Sequence, residues 1–213
     1  MTTGSGLLEG LNPAQQDAVE TVDGPLLIVA GPGSGKTRVI THRIAYLVRE
    51  YGVSPFNILA MTFTNKAAKE MRERLDRLVR CRNEALSVGT FHSFCAKLLR
   101  RDGQALGLPR DFVIYDSADQ LAVVRRALRE LDIDDKLLPA RQALSLISQA
   151  KNQFIDPASL QDQDSGSRGQ LTAKIYERYK RALRDANALD FDDLLLRCVE
   201  LLATVESVRQ RYA

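Results

Sequence analysis

The 213-residue chain has no tryptophan, three cysteines and two histidines. Cys81, Cys95 and Cys198 stand far apart without a Cys-x-x-Cys pair, and His42 and His92 are the only imidazoles. A disulfide framework or a structural zinc site is therefore not expected, and the thiols read as reduced and inert. Long apolar runs are missing too, since none approaches the roughly 20 residues that span a bilayer. Residues 1–10 lack the basic start and apolar stretch of an export signal, which predicts a cytoplasmic protein with no membrane contact. What is present is a globular composition, 45% apolar and 27% charged, in a chain long enough for one domain or one and a half.

Charge is nearly balanced, with 30 basic and 27 acidic residues and a net +3, too little alone to announce a nucleic-acid binder. Its distribution is uneven. Between Lys66 and Arg110 eleven basic residues accompany five acidic ones. A solvated helix face explains such a run as well as a ligand does, so a motif must decide.

The N-terminal half alternates short apolar runs with helical periodicity, the pattern of strands and crossover helices in a parallel sheet. Asn12 and Pro13 open a helix to about Glu20. Leu26 to Val29 reads as a strand buried on both faces, and Asn57 to Phe63 as a second. Between them a helix carries Ile40, Ile44, Leu47 and Val48 on one stripe. Asn65 is a candidate cap for a helix with Ala68, Met71, Leu75 and Leu78 at helical spacing. Leu86 to Val88 is a short third strand, and Thr90 starts the next helix. After Asp111 the chain reads as all-helical, with Asp116 as an N-cap and Gln161 to Gly169 as the likeliest mobile loop. Asp190 and Asp193, three apart, read as a helix cap rather than a metal site.

One segment names a ligand. Ala30-Gly31-Pro32-Gly33-Ser34-Gly35-Lys36-Thr37 follows the first apolar run and opens a helix, with Arg38 next. Its glycines permit the tight turn that points successive amides at phosphates, Lys36 is placed for the β and γ phosphates of ATP, and the Thr37 hydroxyl for Mg²⁺. The strict pattern begins with Gly where this chain has Ala30. A phosphate loop does not by itself specify a reaction.

Further segments, in order along nearly the whole chain, resemble the UvrD/PcrA/Rep family of superfamily 1 DNA helicases. Leu11-Asn12-Pro13-Ala14-Gln15-Gln16 resembles that family's Q motif, which implies adenine recognition by Gln15. Ala30 to Thr37 resembles its first helicase motif, which also commonly begins with Ala. Thr62-Phe63-Thr64-Asn65-Lys66-Ala67-Ala68 is similar to motif Ia and Thr90-Phe91-His92-Ser93 to the next DNA-contacting motif. Ile114-Tyr115-Asp116 and Leu189 to Leu195 are similar to the segments where such helicases enter and leave an inserted helical subdomain.

The resemblance implies an α/β fold: a RecA-like P-loop NTPase with a parallel sheet and helices on both faces, plus an inserted all-helical subdomain. Residues 1–111 would form the first part of the ATP-binding domain, 112–188 the insertion and 189–213 the return. It implies ATP and Mg²⁺ as cofactors, single-stranded DNA and single/double-strand junctions as partners, and 3′ to 5′ translocation. The DNA candidates are Phe63, Thr64, Asn65, Thr90, Phe91 and His92. For three of them a plainer role stays open: Phe63 closing a core, Asn65 capping, His92 as a bonded structural group. No Asp-Glu pair occurs in the chain, so the Walker B segment is expected beyond it, and the chain is expected to be an amino-terminal fragment that binds without completing the cycle. A stand-alone binding module and an unrelated P-loop phosphotransferase are the alternatives.

Overall fold

The computed structural model describes residues 6–79, 86–163 and 166–212. Cys81, Arg80, Arg82 and Glu84 lie outside the described residues. The chain divides at Phe91/His92 into two compact units. The change of sequence character near Asp111 falls inside the second.

The first unit begins with α1 (Pro13–Glu20), opened as the sequence predicts by Asn12 and Pro13 in a capping box with Gln15. The glycine-rich loop leads into α2 (Lys36–Arg49). A 3₁₀ turn precedes β1 (Leu59–Thr62), followed by α3 (Asn65–Val79) and β2 (Ser87–Thr90). β1 and β2 pair in parallel, with Thr62 opposite Thr90. The core gathers Ile44, Ala45, Ala60, Met71, Leu75 and Val88, and a smaller cluster joins Leu11, Val19 and Val39.

Several expectations need correcting. Leu26 to Val29 is neither strand nor buried: residues 25–30 carry no regular element, and Leu27 and Val29 are 87% and 88% exposed. A strand is stabilised by its ladder, and among the described residues none pairs with this segment. β1 forms but is buried on one face only, with Ala60 inward and Leu59 and Met61 outward. On α2 the stripe is turned, so that Val39, Thr41, Ile44 and Ala45 are buried and Ile40 is exposed. Thr64, not Asn65, caps α3: its hydroxyl accepts from Ala67 N–H at 3.1 Å, and Asn65 is already helical. Thr90 closes β2 instead of opening a helix.

The second unit holds α4 (Phe91–Asp102) from His92 onward, β3 (Val113–Ile114), α5 (Ser117–Glu130), α6 (Ala140–Asn152), α7 (Pro157–Gln163), α8 (Ser167–Asp185), β4 (Ala188–Leu189), α9 (Phe191–Thr204) and α10 (Glu206–Tyr212). It is not all-helical, because β3 and β4 pair in parallel. Asp116 and Asp190 cap α5 and α9 through capping boxes, as their spacing predicts. The predicted loop at Gln161 to Gly169 is mostly taken up by the end of α7 and the start of α8; residues 164 and 165 lie outside the described residues. One core joins α5, α6 and α8 around Ile147, Ile175 and Tyr179, and another joins α4 and α9 around Leu98, Leu99, Phe112 and Leu194. Among the described residues no helix is long and apolar enough to cross a membrane.

Candidate nucleotide and nucleic-acid sites

The loop from Ala30 to Gly35 curls because glycine permits it. Gly33 and Gly35 take φ of 75° and 84°, a region that disfavours other side chains. Gly35 is the N-cap of the 14-residue α2, so the free amides of that helix begin where the loop ends. Lys36 folds back over the loop, its Nζ donating to the Ala30 carbonyl at 2.9 Å and the Gly31 carbonyl at 2.7 Å. The Ser34 hydroxyl donates to the Gly31 carbonyl at 2.7 Å. Thr37 follows Lys36 in the first turn of α2, half-buried.

Two neighbours complete this site. Gln15 Nε2 donates to the Ser34 carbonyl at 3.0 Å. Arg38 Nη2 lies 3.0 Å from where a Cβ on Gly10 would stand, so a side chain there would meet the guanidinium. The residues present fit a nucleoside triphosphate: Gly31 and Gly33 have open space where a side chain would be, and a cation lies over the loop's own carbonyls at a helix N-terminus. Two residues make contacts that were invisible in the sequence. His42 Nδ1 bonds the Leu7 carbonyl at 2.6 Å, and Arg43 donates to the Ala18 carbonyl at 2.8 Å and to that of Thr21. They tie the N-terminal segment and α1 to α2.

The register of β1 and β2 sets the DNA candidates of the first unit side by side at the carboxyl ends of the strands, where open α/β sheets bind ligands. Phe63 is 93% exposed, which removes its reading as a core residue. Its ring lies 5.9 Å from that of Phe91, at 43°. Thr64 is held at the junction by its cap bond and by the Thr62 hydroxyl, which donates to the Thr64 carbonyl at 3.0 Å. Asn65 and Lys66 are exposed on the first turn of α3, whereas Thr90 is buried. His92 belongs to the second unit, half-buried, its ring edge-on to Phe191 at 5.7 Å.

The basic stretch is engaged in part by local partners. Arg72 donates to the Val88 carbonyl at 2.7 Å, Arg74 pairs with Glu70, and Arg77 donates to the Glu73 carbonyl at 3.1 Å.

The second unit contains a site that sequence reasoning missed. Lys151, only 3% exposed, donates to Asp190 Oδ2 and Asp193 Oδ1, both at 2.7 Å, and Tyr179 donates its hydroxyl to Asp190 at 2.8 Å. Burial raises the Asp193 pKa, and Lys151 opposes that rise. Tyr179 is pushed up by burial and the adjacent carboxylates, and stays a neutral donor. A signal existed: Lys151 continues the buried α6 stripe four residues after Ile147.

Helices packed around small parallel strand pairs, with a glycine-rich turn opening α2, make this an α/β protein. Within that class the chain belongs to the UvrD/REP helicase family: residues 11–213 match the UvrD/REP helicase N-terminal domain. It is 47% identical over 206 residues to the ATP-dependent DNA helicase PcrA of Bacillus subtilis (strain 168), covering 97% of this chain and 28% of that protein. Against PcrA of Staphylococcus aureus (strain Mu50) the identity is 46% over 208 residues, 98% of this chain and 28% of the relative. Against PcrA of Staphylococcus epidermidis it is 44%, with the same coverage. The chain thus spans 28% of the length of the curated relatives it matches.

Proposed function

We propose that this chain is the portion of an ATP-dependent DNA helicase that binds ATP and single-stranded DNA, in a cytoplasmic protein that moves 3′ to 5′ along one strand. The observation that carries the reading is the loop from Ala30 to Thr37 with the Lys36 ammonium folded over it, in a chain whose relatives are named as ATP-dependent DNA helicases. In this reading the backbone of Gly31, Pro32, Gly33, Ser34 and Gly35, with Lys36, Thr37 and Arg38, holds the triphosphate. Thr37 also ligates Mg²⁺, and Gln15 reads the adenine. Bound Mg²⁺-ATP supplies the phosphoryl group whose transfer drives the whole protein.

Exposed Phe63, beside Phe91, offers a face for base stacking, and Thr64, Asn65 and Thr90 lie at the strand ends beside it. His92, on the next helix, is the further candidate for a backbone phosphate. The direct pairing of β3 with β4 supports reading residues 112–188 as an insertion between two parts of a RecA-like domain, 1–111 and 189–213. Unwinding and turnover belong to the whole protein.

Lys36→Ala in the 213-residue chain is expected to weaken binding of a fluorescent ATP analogue at least tenfold while leaving salt-dependent binding of single-stranded DNA intact. Unchanged nucleotide affinity would sink the assignment of the loop.

A further inference from the structure

Gln15 differs from the other candidates at the nucleotide site because both ends of its amide are bonded within the chain. Its Oε1 accepts from the Asn12 N–H at 3.1 Å, and its Nε2 donates to the Ser34 carbonyl at 3.0 Å. A glutamine amide offers two lone pairs and two N–H groups, so one of each remains. The two bonds also fix which end is oxygen. The Asn12 N–H can only donate and the Ser34 carbonyl can only accept, so a flipped amide loses both bonds.

The second bond reaches from the start of α1 into the middle of the loop, 19 residues along the chain. Among the described residues the loop has few such ties. The bonds from Lys36 Nζ and the Ser34 hydroxyl to the Ala30 and Gly31 carbonyls close the loop on itself. Gly31 and Gly33 have no neighbour within 4 Å at the side-chain position. Gly35 packs against the same amide, since a Cβ there would stand 3.0 Å from Gln15 Nε2.

We propose that Gln15 is a positioning residue for the phosphate loop as well as a base reader. Its bond to Ser34 holds the Gly33–Gly35 backbone in the phosphate-binding conformation before any base arrives, and the remaining lone pair and N–H are left for the base. The inference rests on the nucleotide reading of the loop and deepens it. It has a consequence that base recognition alone lacks: inorganic tripolyphosphate, which has no base, binds less well without Gln15.

Two variants test it. Gln15→Glu keeps an acceptor for the Asn12 N–H, and so keeps the capping box, but sets a carboxylate oxygen against the Ser34 carbonyl. In the ligand-free chain, amide order parameters at Gly33, Ser34 and Gly35 are expected to fall from about 0.85 to below about 0.6. Asn12→Ala, which disturbs the box and spares the Ser34 bond, is expected to leave them unchanged. Gln15→Leu adds no charge, and calorimetry is expected to show tripolyphosphate binding about fivefold weaker, the share of one hydrogen bond. Unchanged loop order and unchanged tripolyphosphate affinity overturn the proposal even if ATP binding falls, because the glutamine then serves the base alone and the nucleotide reading stands. If the unaltered chain binds neither ATP nor tripolyphosphate, the nucleotide reading fails, and the ligand-free measurement still decides whether Gln15 holds the loop.

Discussion

Lys151 shows how much a single residue depends on its partners. An ammonium taken out of water is tolerated only with its charge and hydrogen bonds answered, here by Asp190, Asp193 and the face of Tyr179, 5.2 Å away. Lys151→Met leaves buried Asp190 and half-buried Asp193 without their cation and is expected to lower the unfolding free energy in urea by about 3–5 kcal/mol. A loss below about 1 kcal/mol would show that the pair is neutral by other means. Asp116 makes a different prediction, through pH. Its carboxylate accepts from the Asp119 and Ala118 amides, which lower its pKa. A depressed carboxyl pKa stabilises the fold above the unfolded value of about 3.9, and that contribution is lost as pH falls through the folded value. The stability gap between the unaltered chain and Asp116→Asn, measured by urea titration, is therefore expected to be present at neutral pH and to close in acid. The Asp190 cap was readable from a three-residue spacing, whereas its lysine partner lies 39 positions away, beyond any local pattern.

Single elements show where local patterns suffice. Helices announced by a cap formed as expected, because that signal acts within a few residues. The Leu26 to Val29 run misled, because apolar content reports a tendency to be covered and says nothing about which strand does the covering. β1 was misread by half for the same reason: it has β2 on one side and no partner among the described residues on the other. The junction between β1 and α3 depends on Thr64. Thr64→Ala removes the hydroxyl that accepts from Ala67 N–H and is expected to destabilise the first unit by about 1 kcal/mol, read from thermal or urea unfolding. Asn65→Ala, at a position already inside the helix, is the comparison and is expected to change little.

Across the whole molecule, resistance to opening is unevenly spread. Residues 25–30 expose apolar side chains and carry no regular structure, while 115–187 are largely helical and share a core of their own. Elastase is expected to cut between Pro25 and Ala30 before it cuts anywhere in 115–187, as mass spectrometry of an early digest would show. First cleavage within the helical stretch would contradict this ordering. Family membership was readable because six short segments recur in order, each carrying its own chemistry. The Gln15–Ser34 bond and the Lys151 network were not, since each depends on packing that brings distant positions together.

The parallel pairing of β3 with β4 places Val113 opposite Ala188 and Ile114 opposite Leu189, so the chain leaves and returns at points about 5 Å apart. Between those points the helices form a detour whose two ends meet. Lengthening such a detour is cheap, because the entropy of closing it rises only with the logarithm of its length. Added length within it is therefore expected to cost the β3–β4 seam little, because the closure term changes by only about 0.6 kcal/mol per doubling.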